Sequence, residues 1–264
     1  MPMLSTTRDA RGLATLTLDR PDARNALSAE LVARLTAALA GLAGDPAVRI
    51  VLLTGAGGVF CAGADIGEMR AAGAAPPEQN EADSRRFATL LDRLENQPQP
   101  TIAIVNGAAY GGALGLISAC DIAIAAGSAR FALSEVRLGL VPAMISPFVI
   151  RAIGARQAHR WCLTGEAMDA ATAMRVGLVH ETVDDATLAD AVRAVVDALL
   201  AGGPRAQSEI KQLLRHVTGR SSAVDESVLY DTSRWIARVR AGDEAREGLS
   251  AFLEKRQAKW RNPG

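Results

Sequence analysis

Apolar residues alternate with polar ones in some segments and recur every three or four residues in others. The order of these segments predicts strands early in the chain and helices late. The alternation in GLATLTLDR indicates a first strand, and the apolar run AVRIVLLTG indicates a buried one. Between them, Leu31, Leu35, Leu39 and Leu42 recur at helical spacing, and Ser28 before them is a favoured N-cap residue. We therefore expect an amphipathic helix between two strands.

The middle of the chain has the same alternation of short strands and helices. The segment GAGGVFCAGADIGEMR indicates a glycine-rich loop that leads to a helix, and AAGAAPPEQNEAD indicates a mobile loop before the helix SRRFATLLDRLENQ. The runs TIAIV and DIAIAA are strand-like and flank a short helix after Gly111. FALSEVRLGLVPAMISPFVIRAIG then indicates a mixed loop with a helix near its end.

From Arg156 onward the pattern is mostly helical, and it ends in a long helical stretch from Ser222 to Lys259. This order predicts an α/β fold with repeated ββα units in residues 1–165 and a C-terminal helical lobe in residues 166–264, whose apolar helices are compatible with subunit contacts. The best candidate for the boundary is the segment from Gly165 to Asp169.

The most apolar stretch runs from Pro100 to Gly127, and Asp121 is the only acidic or basic residue in it apart from the weakly ionising Tyr110 and Cys120. It could be a membrane span, a buried core or a catalytic site built around two adjacent glycines. Its asparagine and glycine interruptions divide it into strand-sized pieces, which favours a buried sheet over a bilayer.

Composition narrows the possible partners. The 264 residues include 29 basic and 29 acidic side chains, so the formal charge is zero, and aromatic residues make up only 4%. We therefore expect neither nucleic acid nor an anionic membrane as a partner. The three cysteines form no CxxC pair and the chain starts without an apolar signal segment, which predicts a cytoplasmic protein without a metal site.

Two glycine-containing loops follow predicted strands, CAGAD at 61–65 and YGGAL at 110–114. The backbone N–H groups of a first helical turn have no intrahelical acceptor and lie at the positive end of the helix dipole. They can stabilise an oxyanion that develops on a carbonyl, and glycine lets the ligand approach closely. Taken alone, such a glycine pair is also typical of close packing.

Several longer motifs, in this order, make the chain resemble the enoyl-CoA hydratase/isomerase (crotonase) family. They are LTLDRPDARNALS, FCAGADIGEM, VNGAAYGGALGLISACDIAIA, FALSEVRLGLVP and FLEKR, and they extend from about Thr15 to Arg256. The resemblance implies a spiral of ββα units and an oxyanion hole formed by the backbone N–H groups of Ala64 and Gly112. It implies an acyl-CoA thioester as substrate and no metal, flavin or nicotinamide cofactor. It also implies a trimer or a dimer of trimers.

In the hydratases of this family, two glutamates hold the water that adds across the double bond. The second corresponds to Glu135, whose apolar neighbours Leu133, Val136 and Leu138 favour burial and a raised pKa, although most loop glutamates are simply solvated. The first corresponds to position 115, one helical turn after Gly112, where this chain has Gly115.

This departure leaves three hypotheses open. Glu135 acts alone as acid and base, or the space at Gly115 admits a branched or carboxylated acyl chain, or hydration is replaced by double-bond migration. The stretch LSEVRLGLVPAMISPFVIRAIG is similar to the bacterial methylglutaconyl-CoA hydratase branch, which favours a hydratase over an isomerase. A non-catalytic acyl-CoA-binding protein is the alternative from another class.

The resemblance also suggests residues around the substrate. The candidate CoA contacts are Arg24, Ala62, Asp65, Ile66, Phe252 and Lys255, and the candidate acyl-pocket residues are Tyr110, Gly111, Gly115 and Met144. Some of these residues also fit purely structural roles. Asp65 has the position of a helix cap, AFLEKRQAKW has the pattern of an ordinary amphipathic helix, and Tyr110 and Met144 are also typical of a core. We expect Asp121 to be a structural hydrogen-bond acceptor and Cys61 to be a buried, unreactive residue.

Overall fold

The computed structural model describes residues 3–218 and 225–261, and strands and helices alternate through most of its first half. In these ranges the strands are β1 Leu4–Arg8, β2 Leu13–Leu18, β3 Ile50–Gly55, β4 Val59–Cys61, β5 Thr101–Val105, β6 Ala108–Tyr110, β7 Ile122–Ala126, β8 Arg130–Ala132, β9 Ala167–Asp169 and β10 Glu181–Val183. The helices are α1 Ala29–Ala43, α2 Ile66–Ala74, α3 Pro77–Glu95, α4 Gly112–Ala119, α5 Ser146–Thr164 (kinked at Gly154), α6 Ala170–Arg175, α7 Leu188–Leu200, α8 Pro204–Val217, α9 Glu226–Arg240 and α10 Asp243–Leu253.

The strands form two sheets, one with the order β1-β2-β3-β5-β7-β10 and a smaller one with the order β4-β6-β8-β9. In each of the units β3-β4, β5-β6 and β7-β8, the first strand joins the large sheet and the second joins the small sheet, and a helix follows. Successive units pair in parallel in both sheets. The predicted α/β spiral of ββα units with helices at the C-terminal end is confirmed.

The main core lies where α1 packs against the large sheet. Leu31, Leu35 and Leu39 are fully buried, as their helical spacing predicts, and each contributes about 2 kcal/mol by leaving water. Ser28 is the N-cap, and its Oγ accepts a hydrogen bond from Leu31 N at 3.2 Å.

A buried asparagine fixes the loop that enters α1 against the strand that leads to the first glycine loop. Asn25 has no solvent exposure and adopts a left-handed backbone conformation with φ 56°, which asparagine tolerates. Its Nδ2 donates to Ala56 O at 2.9 Å and Val59 O at 2.8 Å, and its Oδ1 accepts from Arg20 N at 2.9 Å. The start of β4 is therefore held in place from outside its own sheet.

The C-terminal helices close over the glycine loops. Helix α9 packs against α2 and α3, and α10 packs against α2 and the 3₁₀ turn Glu135–Leu138. A small apolar cluster of Leu140, Ile236, Ala245 and Leu249 lies in this contact, with Met69 and Met144 against it. The C-terminal segment therefore covers the region where the candidate site residues lie.

Several elements differ from the sequence predictions, among them the strands β9 and β10 in a region predicted to be mostly helical. Strand β1 precedes the predicted first strand and pairs with it antiparallel at the sheet edge, and β4 lies within the predicted glycine-rich loop. The predicted mobile loop at 71–83 is wrong, because α2 continues to Ala74 and α3 begins at Pro77, a residue favoured in a first helical turn. The long C-terminal helix is divided at Ala241 and Gly242, and its predicted start at Ser222 lies outside the described residues.

Strands on both sides of the predicted boundary share hydrogen bonds. Beyond residue 165, β9 pairs with β8 and β10 pairs with β7. The division into residues 1–165 and 166–264 stays a prediction. Among the described residues, no helix combines the length and apolar character needed to cross a membrane.

Candidate active site

Three neighbouring parallel strands of the small sheet bring the candidate residues together. Strands β4, β6 and β8 lie side by side, and their carboxyl ends lead respectively to Ala64, Gly112 and Glu135. Because the carboxyl ends of parallel strands lie at one edge of a sheet, residues about fifty and twenty positions apart in sequence become neighbours.

The first two loops touch each other directly. Gly63 has φ 89°, and a Cβ atom built on it would lie 2.7 Å from Tyr110 O and 3.6 Å from Gly112 N. Any side chain at position 63 would therefore force the two loops apart. The glycine in CAGAD is required both by its backbone conformation and by this close approach.

The N–H groups of Ala64 and Gly112 are both available for a ligand. Ala64 forms a parallel bridge with Leu27 in which Leu27 N donates to Gly63 O and Asp65 N donates to Leu27 O, so the N–H of Ala64 points to the other side. Gly112 is the first residue of α4. Within the described ranges, neither N–H has an acceptor, and both residues line one cavity.

The Glu135 side chain lies against the second glycine loop. A Cβ atom at Gly111, whose φ is 53°, would be 3.1 Å from Glu135 Oε1. A Cβ at Gly112 would be 3.2 Å from Phe87 Cζ and 3.3 Å from Leu27 Cδ1. The two adjacent glycines thus let a carboxyl group and two apolar side chains approach the start of α4 at the same time.

Burial makes the carboxyl group of Glu135 a weak acid. Desolvation raises its pKa to about 7, with a smaller opposing effect from its own backbone N–H. Among the described residues, its Oε2 is buried without a hydrogen-bond partner. The residue as a whole is half-buried, although this carboxyl oxygen is enclosed. A carboxyl group in this state can both take up and release a proton near neutral pH.

The cavity wall is mainly apolar. Its polar groups include the free N–H groups of Ala64 and Gly112 and the carboxyl group of Glu135. The apolar lining includes Leu27, Val32, Ile66, Met69, Phe87, Leu138, Val141, Met144, Ile145 and Ile236. An apolar surround excludes water and strengthens each electrostatic interaction inside.

The predicted open space beside Gly115 does not exist. A Cβ atom at this position would lie 2.5 Å from Ile145 Cγ2, 3.0 Å from Ile145 Cβ and 3.2 Å from Leu91 Cδ1, so even alanine does not fit without movement. Gly115 is buried and does not line the cavity. The prediction was wrong because it took the missing side chain as empty volume, whereas Ile145, just before α5, fills it.

The structure divides the remaining predicted site residues into two groups. Ala62, Asp65, Ile66, Gly111 and Met144 line the cavity, as do Ala64, Gly112 and Glu135. Asp65 is also the expected N-cap of α2, since Oδ1 accepts from Gly67 N at 3.1 Å.

Four predicted residues lie away from the cavity lining. Tyr110 is the last residue of β6 and does not line the cavity, although its carbonyl oxygen would be 2.7 Å from a Cβ atom at Gly63. Arg24 is exposed, and its carbonyl accepts from Ala62 N at 2.9 Å. Phe252 is 53% exposed, and Lys255 is exposed with φ 54°.

Two residues have the structural roles expected of them. Asp121 Oδ2 accepts hydrogen bonds from Thr101 N at 2.8 Å and from Lys211 Nζ at 2.7 Å. Burial raises the pKa of the Cys61 thiol to about 12, so it stays protonated.

Sequence reasoning missed several residues of the cavity, above all Arg240. This arginine is only 4% exposed and lines the cavity with Asp83, Ser84 and Phe87 of α3. A signal for it exists, because Arg240 falls three and four positions after the buried residues Ala237 and Ile236 and so lies on the apolar face of α9.

Comparisons with known proteins agree with the geometry. Residues 8–263 match the model of the enoyl-CoA hydratase/isomerase family. The chain is 35% identical over 250 residues to a 1,2-epoxyphenylacetyl-CoA isomerase of Escherichia coli, covering 93% of this chain and 94% of the relative. It is 31% identical over 251 residues to a short-chain-enoyl-CoA hydratase of Clostridium acetobutylicum, covering 93% and 92%. A crystal structure of an enoyl-CoA hydratase from Mycobacterium avium is similar with a TM-score of 0.86 and 36% identity, covering 98% and 99%.

The contact at Gly115 predicts a destabilised alanine variant. Gly115→Ala should lower the free energy of unfolding by about 2 kcal/mol, because the new methyl group collides with Ile145. Gly41→Ala is the matched control, since Gly41 lies within α1 with nothing within 4 Å of a Cβ atom, and it should stabilise by up to about 1 kcal/mol. Urea unfolding measures both. In an Ile145→Ala background, Gly115→Ala should cost less than in the wild type. Equal stabilisation by Gly115→Ala and Gly41→Ala would contradict the contact.

The raised pKa of Glu135 predicts a pH-dependent stability. Between its ordinary pKa of 4.5 and about 7 the unfolded chain loses this proton while the folded chain keeps it, so the folded state becomes less stable as pH rises and then levels off. Glu135→Gln should therefore be more stable than the wild type by roughly 3 kcal/mol at pH 8, and much less so at pH 5.

Urea unfolding at these two pH values tests this expectation. Glu209→Gln is the control, because Glu209 is exposed on α8 and its replacement should leave the difference between the two pH values unchanged. A pH-independent effect of Glu135→Gln would show that the carboxyl group is not buried in the folded protein.

Proposed function

The chain belongs to the enoyl-CoA hydratase/isomerase family, and on that premise we propose that it adds water to a 2-enoyl-CoA thioester or removes it in the reverse direction. The observation that supports this proposal is that, among the residues that the structure describes, two with acceptor-free N–H groups and one with a buried carboxyl group line a single cavity. Members with hydratase and isomerase names share this family, so the class of substrate is an acyl-CoA thioester.

In this proposal the thioester oxygen lies between the N–H groups of Ala64 and Gly112. When a nucleophile adds to the β-carbon, negative charge moves onto this oxygen, and the two donors stabilise it. Loss of one such donor costs about 3 kcal/mol in other enzymes, so this pair is a large part of the expected catalysis. Both donors are backbone groups held by the small sheet, which fixes their direction before substrate binds.

Glu135 moves the protons. In its ionised form it takes a proton from water while the water oxygen bonds to the β-carbon and charge moves to the thioester oxygen. The protonated carboxyl group then returns a proton to the α-carbon as the carbonyl reforms. The balance is one water added and no net proton change. A pKa of about 7 suits a group that has to perform both steps.

The closed space at Gly115 bears on the three hypotheses. A second carboxylate cannot be accommodated there, and neither can an acyl branch, because Ile145 and Leu91 occupy it. This supports a mechanism with Glu135 alone. A lone carboxyl group can also take a proton from the α-carbon of a 3-enoyl chain and return it to the γ-carbon. Double-bond isomerisation is therefore the second candidate, and the family model covers both hydratases and isomerases.

The acyl chain and the CoA contacts are further parts of the proposal. The resemblance of LSEVRLGLVPAMISPFVIRAIG to the methylglutaconyl-CoA hydratase branch supports a branched or glutaconyl-type chain, which has to occupy the cavity between α2, α3 and α9. We assign the CoA moiety to Ala62, Asp65 and Ile66 at the cavity, with Arg24, Phe252 and Lys255 as outer contacts, the last two also available to a neighbouring subunit.

Helix α8 supports self-association as a trimer or a dimer of trimers. Ile210, Leu213, Leu214 and Val217 recur at helical spacing and are each more than half exposed. The other edge of the helix is held by polar contacts, since Lys211 Nζ donates to Gln97 O at 2.6 Å. A firmly placed helix with an outward apolar face is suited to a second copy of this chain.

Removing the carboxyl group should abolish hydration. Glu135→Gln should lower kcat/KM for crotonyl-CoA by about 10³-fold, because an amide cannot exchange the proton, and loss of the conjugated thioester absorbance measures this. The wild-type kcat/KM should also rise as pH increases through about 7, since the ionised carboxyl group takes the first proton.

Glu209→Gln is the control for activity as well and should behave as the wild type. Conversion of a 3-enoyl-CoA to its 2-enoyl isomer, without hydration of crotonyl-CoA, would favour the isomerase. A protein that binds acyl-CoA with the same affinity before and after Glu135→Gln, and turns over neither substrate, would be the non-catalytic alternative.

The apolar face of α8 predicts a mass above that of the monomer. Light scattering after size exclusion should give a trimer or hexamer for the wild type, and Leu213→Glu with Leu214→Glu should shift it towards monomer, because charges are then buried in the contact. Gln212→Glu, also exposed on α8, should leave the mass unchanged. A monomeric wild type, or an unaffected double variant, would contradict this surface.

A further inference from the structure

Arg240 is a buried cation whose hydrogen-bond partners, among the described residues, are all neutral. Its Nε donates to Asn80 Oδ1 at 2.9 Å, and its Nη2 donates to Asn80 O at 3.0 Å, to Ser84 Oγ at 3.2 Å and to Asn80 Oδ1. Buried charges in proteins are normally paired with an opposite charge. In the part of the chain that the structure describes, no carboxylate lies within salt-bridge distance of this guanidinium.

The third nitrogen of the guanidinium has only a weak acceptor. Nη1 lies 3.1 Å from Met69 Sδ, and a thioether is a poor hydrogen-bond acceptor. Burial lowers the pKa of Arg240. The charge of Asp83 opposes this shift from beyond salt-bridge distance, while Asp83 Oδ1 accepts from Arg86 Nη1 at 2.5 Å. Nη1 is therefore the part of Arg240 that can still bind an anion.

This nitrogen belongs to the cavity that holds the candidate catalytic groups. Arg240, Met69 and Ala64 all line it. Met69 is one turn of α2 beyond Asp65, which is about 6 Å of helix rise from the first glycine loop. A chain that starts at the two N–H groups and extends along α2 reaches the neighbourhood of Nη1 after a few carbon atoms.

We propose that Arg240 binds an anionic group on the acyl chain, remote from the thioester, and so selects carboxylated 2-enoyl-CoA substrates. This inference rests on the proposed function and adds to it the residue that selects a carboxylated chain over an uncharged branched one. A carboxylate would accept a charge-assisted hydrogen bond from Nη1 and would supply the opposite charge that Arg240 lacks.

The phosphates of CoA carry the same anionic chemistry, but the surroundings of Arg240 favour a single small carboxylate. The residue is 4% exposed, and the apolar residues Met69, Ala72 and Ile236 line the same cavity. A hydrated diphosphate would lose its water in such an apolar place with one nitrogen as compensation.

The test compares two substrates with acyl chains of similar shape, one with a charged end and one with an apolar end. Glutaconyl-CoA ends in a carboxylate, and trans-2-hexenoyl-CoA has an ethyl group in its place. We expect the ratio of kcat/KM for the charged over the uncharged chain to fall about 30-fold in Arg240→Met and less in Arg240→Lys, which keeps the charge. Arg238→Met is the matched control, because Arg238 is exposed on the same helix and lies over the Trp235 ring, and it should not change the ratio.

Each alternative gives a different result. An equal fall for both substrates in Arg240→Met would make Arg240 a structural link between α9 and α3 and overturn the inference. If Arg240→Met lowers kcat/KM for hexenoyl-CoA but not for hexenoyl-pantetheine, the arginine binds the CoA phosphates, and this result would also overturn the inference. If Arg240→Met does not fold, the ratio of kcat/KM for glutaconyl-CoA over hexenoyl-CoA in the wild type decides. A wild type that hydrates hexenoyl-CoA and discriminates against glutaconyl-CoA also refutes the inference. A wild type that hydrates neither substrate refutes the proposed function itself.

Discussion

The parallel pairing of β4, β6 and β8 is the constraint on which the rest of the site depends. These strands are only three residues long each, and they contribute little stability of their own. Their hydrogen bonds nevertheless determine where three separate loops end, and hence whether two N–H groups and a carboxyl group share a cavity. The longer strands of the large sheet and the buried face of α1 supply the stability that keeps this small sheet in place.

Close approach of backbone segments is the second requirement. Gly63 lies against Tyr110 O, and Gly111 lies against the Glu135 carboxyl group, each with a positive φ. A carboxyl group pressed against a glycine and shielded by apolar side chains is cut off from water, and this desolvation is why its pKa rises. The same packing that costs stability at neutral pH gives the group its capacity for proton transfer, a trade-off frequent at functional sites.

The sequence predicts much of this arrangement because local patterns and long-range geometry agree. The leucine spacing of α1, its Ser28 cap and the strand-like TIAIV and DIAIAA segments follow from local propensity, and the apolar neighbours of Glu135 indicate its burial. Other features depend on distant contacts. Nothing near Gly115 in sequence reveals that Ile145 fills its place, and the polar residues of α3 look like a loop until Asn80 is seen to donate to Ala237 O. The role of the charged residue Arg240 depends on which helix packs against it, and the local sequence does not show this.

The packing of Ile145 against Gly115 also constrains how this chain can diverge. A single change from glycine to a larger residue meets an occupied volume, whereas the same change after Ile145 has become smaller meets a vacancy. The two positions are therefore coupled, because the cost of a side chain at position 115 depends on the size of the residue at position 145. A chain with the present pair therefore resists the introduction of an acid at position 115, because Ile145 has to become smaller before a carboxylate fits.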